Sequence, residues 1–266
     1  MKRDVSARLD VAVHAPTVLE FQLAVARQPG VEVHEALEFT LDGARLPARE
    51  VTGSHGTRIH VFDCPAGTLR ARYRATILGC AYPEPATDYD RALYLRPSRF
   101  AESDRLLGYA ATEFGYATGD PDFPARISDW VARRVRYAAG GDPGDGAVAT
   151  LLSGTGVCRD YAHLLVALLR ATGVPARVAS VYAPGCTPMD FHCVAEAYTH
   201  GGWRAFDPSR LAPRTGLVRI ATGRDASDIA FLDNHGGAVT ITELSVDARA
   251  DGPLPLDDFA RPVSIT

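Results

Sequence analysis

Between residues 5 and 78 the chain alternates apolar and polar side chains in short bursts. A period of two puts successive side chains on opposite faces, so this pattern admits little except half-buried β-strands. "RLDVAVHA", "LEFQLAVARQ", "EALEFTLDG", "RIHVFDC" and "LRARYRATIL" each read as one strand. Pro29-Gly30, Asp42-Gly43, Gly53 and Gly67 punctuate them as turn formers. Strands at such regular spacing predict a β-sandwich-like or barrel-like leader. "CAYPEPATDYD", with two prolines and no helical period, reads as a linker over 80–92.

The period then changes. "PSRFAESDRLLGYAATEFG" predicts a helix capped by Ser103, with Leu106, Leu107 and Ala110 on its buried side. "FPARISDWVARRVRY" predicts a second, with Ile127, Trp130, Val131 and Val135 at helical spacing. "AAGGDPGDGAV" reads as a loop. "ARVASVY", "FHCVAEAYT" and "WRAFDPS" are strand-like, and "GGAVTITELSVDA" reads as one or two more strands. These shifts divide the chain into a β-rich leader over 1–90 and a mixed α+β part over 91–266.

"TGVCRDYAHLLVALLRATGVPAR" carries the chemistry. Tyr161, Leu164, Leu165, Leu168 and Leu169 share one helical face. Gly173 and Pro175 end the helix, so it spans roughly 157–172. Gly154 and Gly156 let the chain bend into it. Cys158 then lies in the first turn, where unpaired N–H groups and the positive end of the dipole favour a thiolate. The same N–H groups suit an oxyanion. Set against this are a small buried hydrophobe, the commonest fate of a free cysteine, and a metal ligand. Cys186, His192 and Cys193 could be imagined as soft-metal ligands, but adjacent His192 and Cys193 point to opposite sides of a strand, so no metal and no cofactor is expected.

His192 opens a strand, "THGG" turns, and Asp207 ends the return strand. An even-length loop places Tyr198 opposite Trp203 and Val194 opposite Asp207, with Asp207 diagonal to His192. A carboxylate beside an imidazole orients it, and an imidazole beside a thiol takes its proton. Among the neighbours, Asp160 suits the helix dipole. Arg159 and Tyr161 are candidate substrate contacts that also read as a surface arginine and a core tyrosine. His163 reads as a packing or hydrogen-bonding residue, Asp225 and Asp228 as loop and cap residues, and His200 as exposed in its turn.

"GVCRDYAHLLVALLRATGVPARVASVY", "DFHCVAEAY" and "WRAFDPSR" together resemble the transglutaminase-like superfamily. "CRDYAHL" and "GRDASDIAF" resemble a bacterial subgroup of cysteine proteases within it. The resemblance implies a papain-like α+β core, with the cysteine helix packed on an antiparallel sheet. It also implies Cys158 as nucleophile, His192 as base and Asp207 as orienting acid. Where the family often has Ala-Trp after the histidine, this chain has Cys193-Val194. The implied activity is hydrolysis of a peptide or peptide-like amide. Transglutamination, acyl transfer from a thioester and non-catalytic peptide binding on the same fold are the alternatives.

The bulk numbers set boundaries. A net charge of -4 gives no reason to expect nucleic acid or an anionic membrane as partner. No run of 18 apolar residues predicts a spanning helix. No continuous apolar stretch of signal-peptide length follows Lys2 and Arg3, so the expected location is the cytoplasm, and the odd, irregularly spaced set of five cysteines argues against a disulfide framework. No feature of the sequence indicates an oligomeric state.

Overall fold

The computed structural model describes residues 1–265 apart from 84, 118, 139–141 and 143. The leader forms β1 (Arg3–Val13), β2 (Thr17–Phe21), β3 (Val31–Leu41), β4 (Ala44–Arg45), β5 (Arg49–Thr52), β6 (Arg58–Cys64) and β7 (Gly67–Gly79). Alternation along β1 turns Val5, Ala7, Leu9, Val11 and Val13 inward. Phe39 and Phe62 meet at 4.8 Å between ring centroids, and Phe21 stacks on Phe62 at 5.8 Å. Each such ring contributes about 1.5–3 kcal/mol by leaving water, and together they hold two antiparallel sheets face to face. The strand expected over 19–28 stops at Phe21. Beyond it the backbone bonds elsewhere: the Val25 N–H donates to the Tyr73 hydroxyl and the Ala26 N–H to the Arg219 carbonyl.

A helix, α1 (Asp88–Leu93), occupies the end of the expected linker. Thr87 and Asp90 exchange hydrogen bonds across its first turn, a capping box written with aspartate. Ser103 belongs to a 3-10 turn and caps nothing. In α2 (Leu107–Phe114) Leu106 and Ala110 face the core, but Leu107 is 52% exposed. α3 (Phe123–Arg134) buries Ile127 and Val131 as expected, while Val135 already lies past its end in extended backbone. The loop expected over 138–148 falls partly outside the described residues. It ends early, at α4 (Ala147–Ser153), which the sequence reading missed. β8 (Arg136–Tyr137) pairs in parallel with β9 (Thr155–Gly156) on either side of it.

Next comes α5 (Cys158–Ala171), flanked by Val157 and Thr172 as expected. Gly154, at φ 65°, closes α4 rather than opening α5. Gly156 is needed for space, because a Cβ there would sit 2.6 Å from the Cβ of Asp160. The one-sided apolar face is a correction: every residue of α5 from Asp160 to Ala171 is buried. α5 runs through the middle of the molecule, packed by α2, α3 and α4 and by a sheet.

That sheet contains β10 (Ala176–Tyr182), β11 (His192–Thr199), β12 (Gly202–Phe206) and β13 (Val218–Gly223), all antiparallel, in the order β12-β11-β10-β13. His200 and Gly201, both at positive φ, make the two-residue turn between β11 and β12. On β11, Glu196 is wholly buried between Arg177 and Arg219. The last two strands leave this sheet. β14 (Leu232–His235) pairs with β2 and β15 (Val239–Ala250) with β1. The leader's two sheets therefore run β15-β1-β7-β3-β4 and β14-β2-β6-β5. A cut near residue 90 does not separate the strands by sheet, and one apolar core continues from Val5 and Leu9 to Leu164 and Leu168. Among the described residues, no helix is long and apolar enough to cross a membrane.

Candidate active site

Cys158 is the first residue of α5, half-buried. The Asp160 carboxylate accepts from the Val157 N–H at 2.9 Å, which satisfies one first-turn donor and fixes the bend into the helix. The Arg159 guanidinium also holds that carboxylate, at 3.0 and 3.1 Å. The thiol thus sits at the positive end of a 14-residue helix that is buried from Asp160 onward.

His192 begins β11 and Asp207 follows β12. The ladder pairs Tyr198 with Trp203 and Ala195 with Phe206, so its extension sets Val194 opposite Asp207 and His192 on the diagonal. The contact closes: His192 Nε2 lies 2.8 Å from Asp207 Oδ2. The other oxygen, Oδ1, accepts from the Ser209 N–H at 3.0 Å and from its hydroxyl at 2.5 Å. Asp207 is thereby locked from both sides, and Nδ1 is the imidazole nitrogen left for the sulfur. Burial alone would lower the His192 pKa. The Asp207 charge and hydrogen bond, joined by a hydrogen bond and charge interaction with Cys158, hold it well above the ordinary histidine range. The arrangement can carry a proton at Nδ1 beside a nucleophilic sulfur.

A cavity of about 460 Å³ opens beside this unit. Cys158, Arg159, His192 and Cys193 line it. Phe100, Phe191, Ile229, Phe231 and Leu232 form the apolar walls. They come from three separate parts of the chain, and sequence periodicity marks none of them. The signal present was the "GRDASDIAF" segment, which carried only a family likeness. The leader takes part through β14, whose Leu232 lines the cavity and pairs with Phe21 of β2.

The other singled-out residues separate cleanly. Arg159 borders the cavity with its charge committed to Asp160. Tyr161 is placed in the core, not on the cavity: it is 4% exposed and donates its hydroxyl to the Val135 carbonyl at 2.6 Å. Cys193 is buried against α5, while Val194 faces the opposite side of the sheet. Tyr137 lies near Cys158, Cys186 and Asp190; burial first, then those groups, push its phenol up to about 12. His163 accepts a hydrogen bond from the Ala226 N–H at 3.0 Å and stacks on Phe100. Asp225 accepts from the Phe100 and Ser227 N–H groups, and Asp228 pairs with Arg224. No cluster of three or more His, Cys, Asp or Glu side chains suited to a metal occurs among the described residues.

Comparison with known proteins agrees with this architecture. The transglutaminase-like superfamily model matches residues 109–208, which include Cys158, His192 and Asp207. The crystal structure of a candidate cysteine protease from Cytophaga hutchinsonii superposes with a TM-score of 0.87 at 31% identity. That match covers 97% of this chain and 93% of the other. The uncharacterized protein ML0607 of Mycobacterium leprae is 34% identical over 100 residues, which span 34% of this chain and 36% of that protein. Only about a third of that curated relative's length is therefore matched. Fold, order of elements and near full-length likeness to the Cytophaga hutchinsonii protein lead to one assignment: the chain belongs to the transglutaminase-like superfamily.

Proposed function

We propose that this protein is a thiol enzyme that cleaves amide bonds through Cys158, His192 and Asp207. The carrying observation is the His192 imidazole, held at 2.8 Å by Asp207 and interacting with the Cys158 sulfur. The sulfur attacks a substrate carbonyl and forms the C–S bond. The carbonyl oxygen takes the negative charge and meets the Cys158 N–H. As the tetrahedral species collapses, the C–N bond breaks and His192 gives its Nδ1 proton to the leaving amine. A water then attacks the thioester and gives one proton to His192; the C–S bond breaks, releasing the acid and restoring the thiolate beside the protonated imidazole. Asp207 keeps the imidazole oriented and stabilises its cationic form. A peptide or peptide-like amide is the proposed substrate, which agrees with the protease reading of the Cytophaga hutchinsonii relative.

A primary amine in place of the water gives transamidation through the same acyl-enzyme. A peptide library offered with and without added primary amines, to native protein and to Cys158→Ala, tests the proposal. Cleavage that disappears in Cys158→Ala is expected. Amine incorporation in place of cleavage would make the protein a transglutaminase, and retention of peptides without any turnover would make it a binding domain. A cysteine-directed alkylating agent is also expected to label Cys158 before the other four thiols; equal labelling of all five would remove the case for activation. The cytoplasm is the proposed location, since no signal-peptide-like apolar stretch follows Lys2 and Arg3; the irregular cysteine set suits a reducing compartment.

A further inference from the structure

The cavity beside the thiol has a chemical character that the triad does not require. Its walls are three phenylalanine rings, an isoleucine and a leucine. Phe191 and Phe231 stack at 5.1 Å with 20° between planes, and Phe191 continues onto Tyr182 at 5.6 Å. Phe100 stacks on buried His163 at 5.4 Å, its N–H donates to Asp225 and its carbonyl accepts from the Ala147 N–H at 2.8 Å. The walls are therefore set before any ligand arrives, so little ordering is needed on binding.

Charged groups line the cavity as well: Arg99, Arg159 and Asp233. Arg159 is committed to Asp160, and one Asp233 oxygen accepts from the Asn234 N–H. Arg99 is exposed, its guanidinium 4.9 Å from the Phe100 ring centre, and among the described residues no carboxylate pairs with it. With Arg159 paired to Asp160, one guanidinium and one carboxylate remain, so a lysine or arginine head drawn in among the apolar walls would lose its water without gaining a carboxylate of its own.

We infer that this cavity is a specificity subsite, which takes a large apolar side chain, aromatic above all, from the peptide residue next to the cleaved amide and turns basic side chains away. The inference rests on the thiol-amidase reading and names its substrate class. Its volume of about 460 Å³ leaves room for a large side chain, and its apolar walls hydrogen-bond poorly to the water that such a side chain would displace. Aromatic rings gain a further preference through offset or edge contacts with Phe100, Phe191 and Phe231.

The test is a positional-scanning library of blocked peptides, read as relative kcat/KM. Phenylalanine, leucine and methionine at one position beside the cleaved bond are expected to exceed alanine by on the order of 100-fold, within the range apolar pockets discriminate. Lysine and arginine are expected to fall to or below alanine. Ala230 also lines the cavity, and Ala230→Trp fills it from a half-buried position. That variant is expected to lower the phenylalanine-to-alanine ratio at least tenfold. Phe231→Ala, which opens the wall, is expected to lower the ratio as well, and circular dichroism checks that each variant folds. A flat profile, or a preference for basic residues, would overturn the inference. Selective alkylation of native Cys158 reads the thiol separately: selective labelling with a flat profile rejects the subsite alone, whereas no selective labelling rejects the underlying enzyme reading.

Discussion

His163 and His192 are both nearly inaccessible, at 0% and 2% exposure, yet their surroundings push their pKa values in opposite directions. Nε2 of His163 receives the Ala226 N–H, and a backbone amide only donates, so that nitrogen carries no proton. Burial pushes the imidazolium of His163 down, Arg159 and Arg170 push the same way, and Asp225 opposes them. The Asp225 oxygens accept from backbone donors, and His163 Nδ1 has no hydrogen-bond partner, so Asp225 opposes by charge without touching the ring. His192 meets the same burial, but Asp207 touches its ring and a sulfur interacts with it. Contact with a locked carboxylate, rather than depth, decides which histidine is pushed toward the cationic form. One histidine supports a cavity wall, and the other is equipped to move a proton.

The largest effect should come from deleting the cationic partner. His192→Ala is expected to reduce amide cleavage by roughly 10²–10⁴-fold, the scale of a lost general acid-base, and to slow Cys158 alkylation. Asp207→Asn comes next and addresses charge rather than presence. The protonated form of His192 serves as general acid, so kcat/KM falls as pH rises through its raised pKa. Removing the carboxylate leaves burial unopposed by it, and the alkaline limb is expected to move to lower pH. The stability counterpart has the same sign. Because the folded pKa lies above the unfolded value, near about 6.5, the stabilisation is fully present below that value. It is lost as pH rises through the folded pKa, and urea unfolding across that window should show the decline in native protein and lose it in Asp207→Asn. The smallest effect belongs to His163→Leu, which strands the Ala226 N–H. A stability loss of about 1–3 kcal/mol is expected, with the alkaline limb of cleavage unmoved. A shifted limb in that variant would break the contrast between the two histidines.

How much of this was legible in the sequence depended on how local the cause was. The ends of α5 could be read because Gly173 and Pro175 stop a helix locally, and the His192–Asp207 alignment because a two-residue turn propagates register along β11 and β12. The family likeness added the role of Cys158. Burial around the whole of α5 could not be read, because the covering surfaces come from α2, α3, α4 and a later sheet. Tyr161 illustrates the limit: helical spacing placed it near the thiol, but only the tertiary fold shows its hydroxyl committed to Val135. The cavity walls were invisible for the same reason. Leu232 reaches the site because β14 pairs with β2, more than 200 residues earlier in the chain, as the partnership of Leu232 with Phe21 shows.

The most direct test is ¹⁵N NMR of the imidazole rings, following His163 and His192 separately through a pH titration of the native protein. His192 should remain protonated on both nitrogens through neutral pH while His163 stays neutral with Nε2 unprotonated. A neutral His192 at pH 7, titrating at or below the value of a free histidine, would contradict the account.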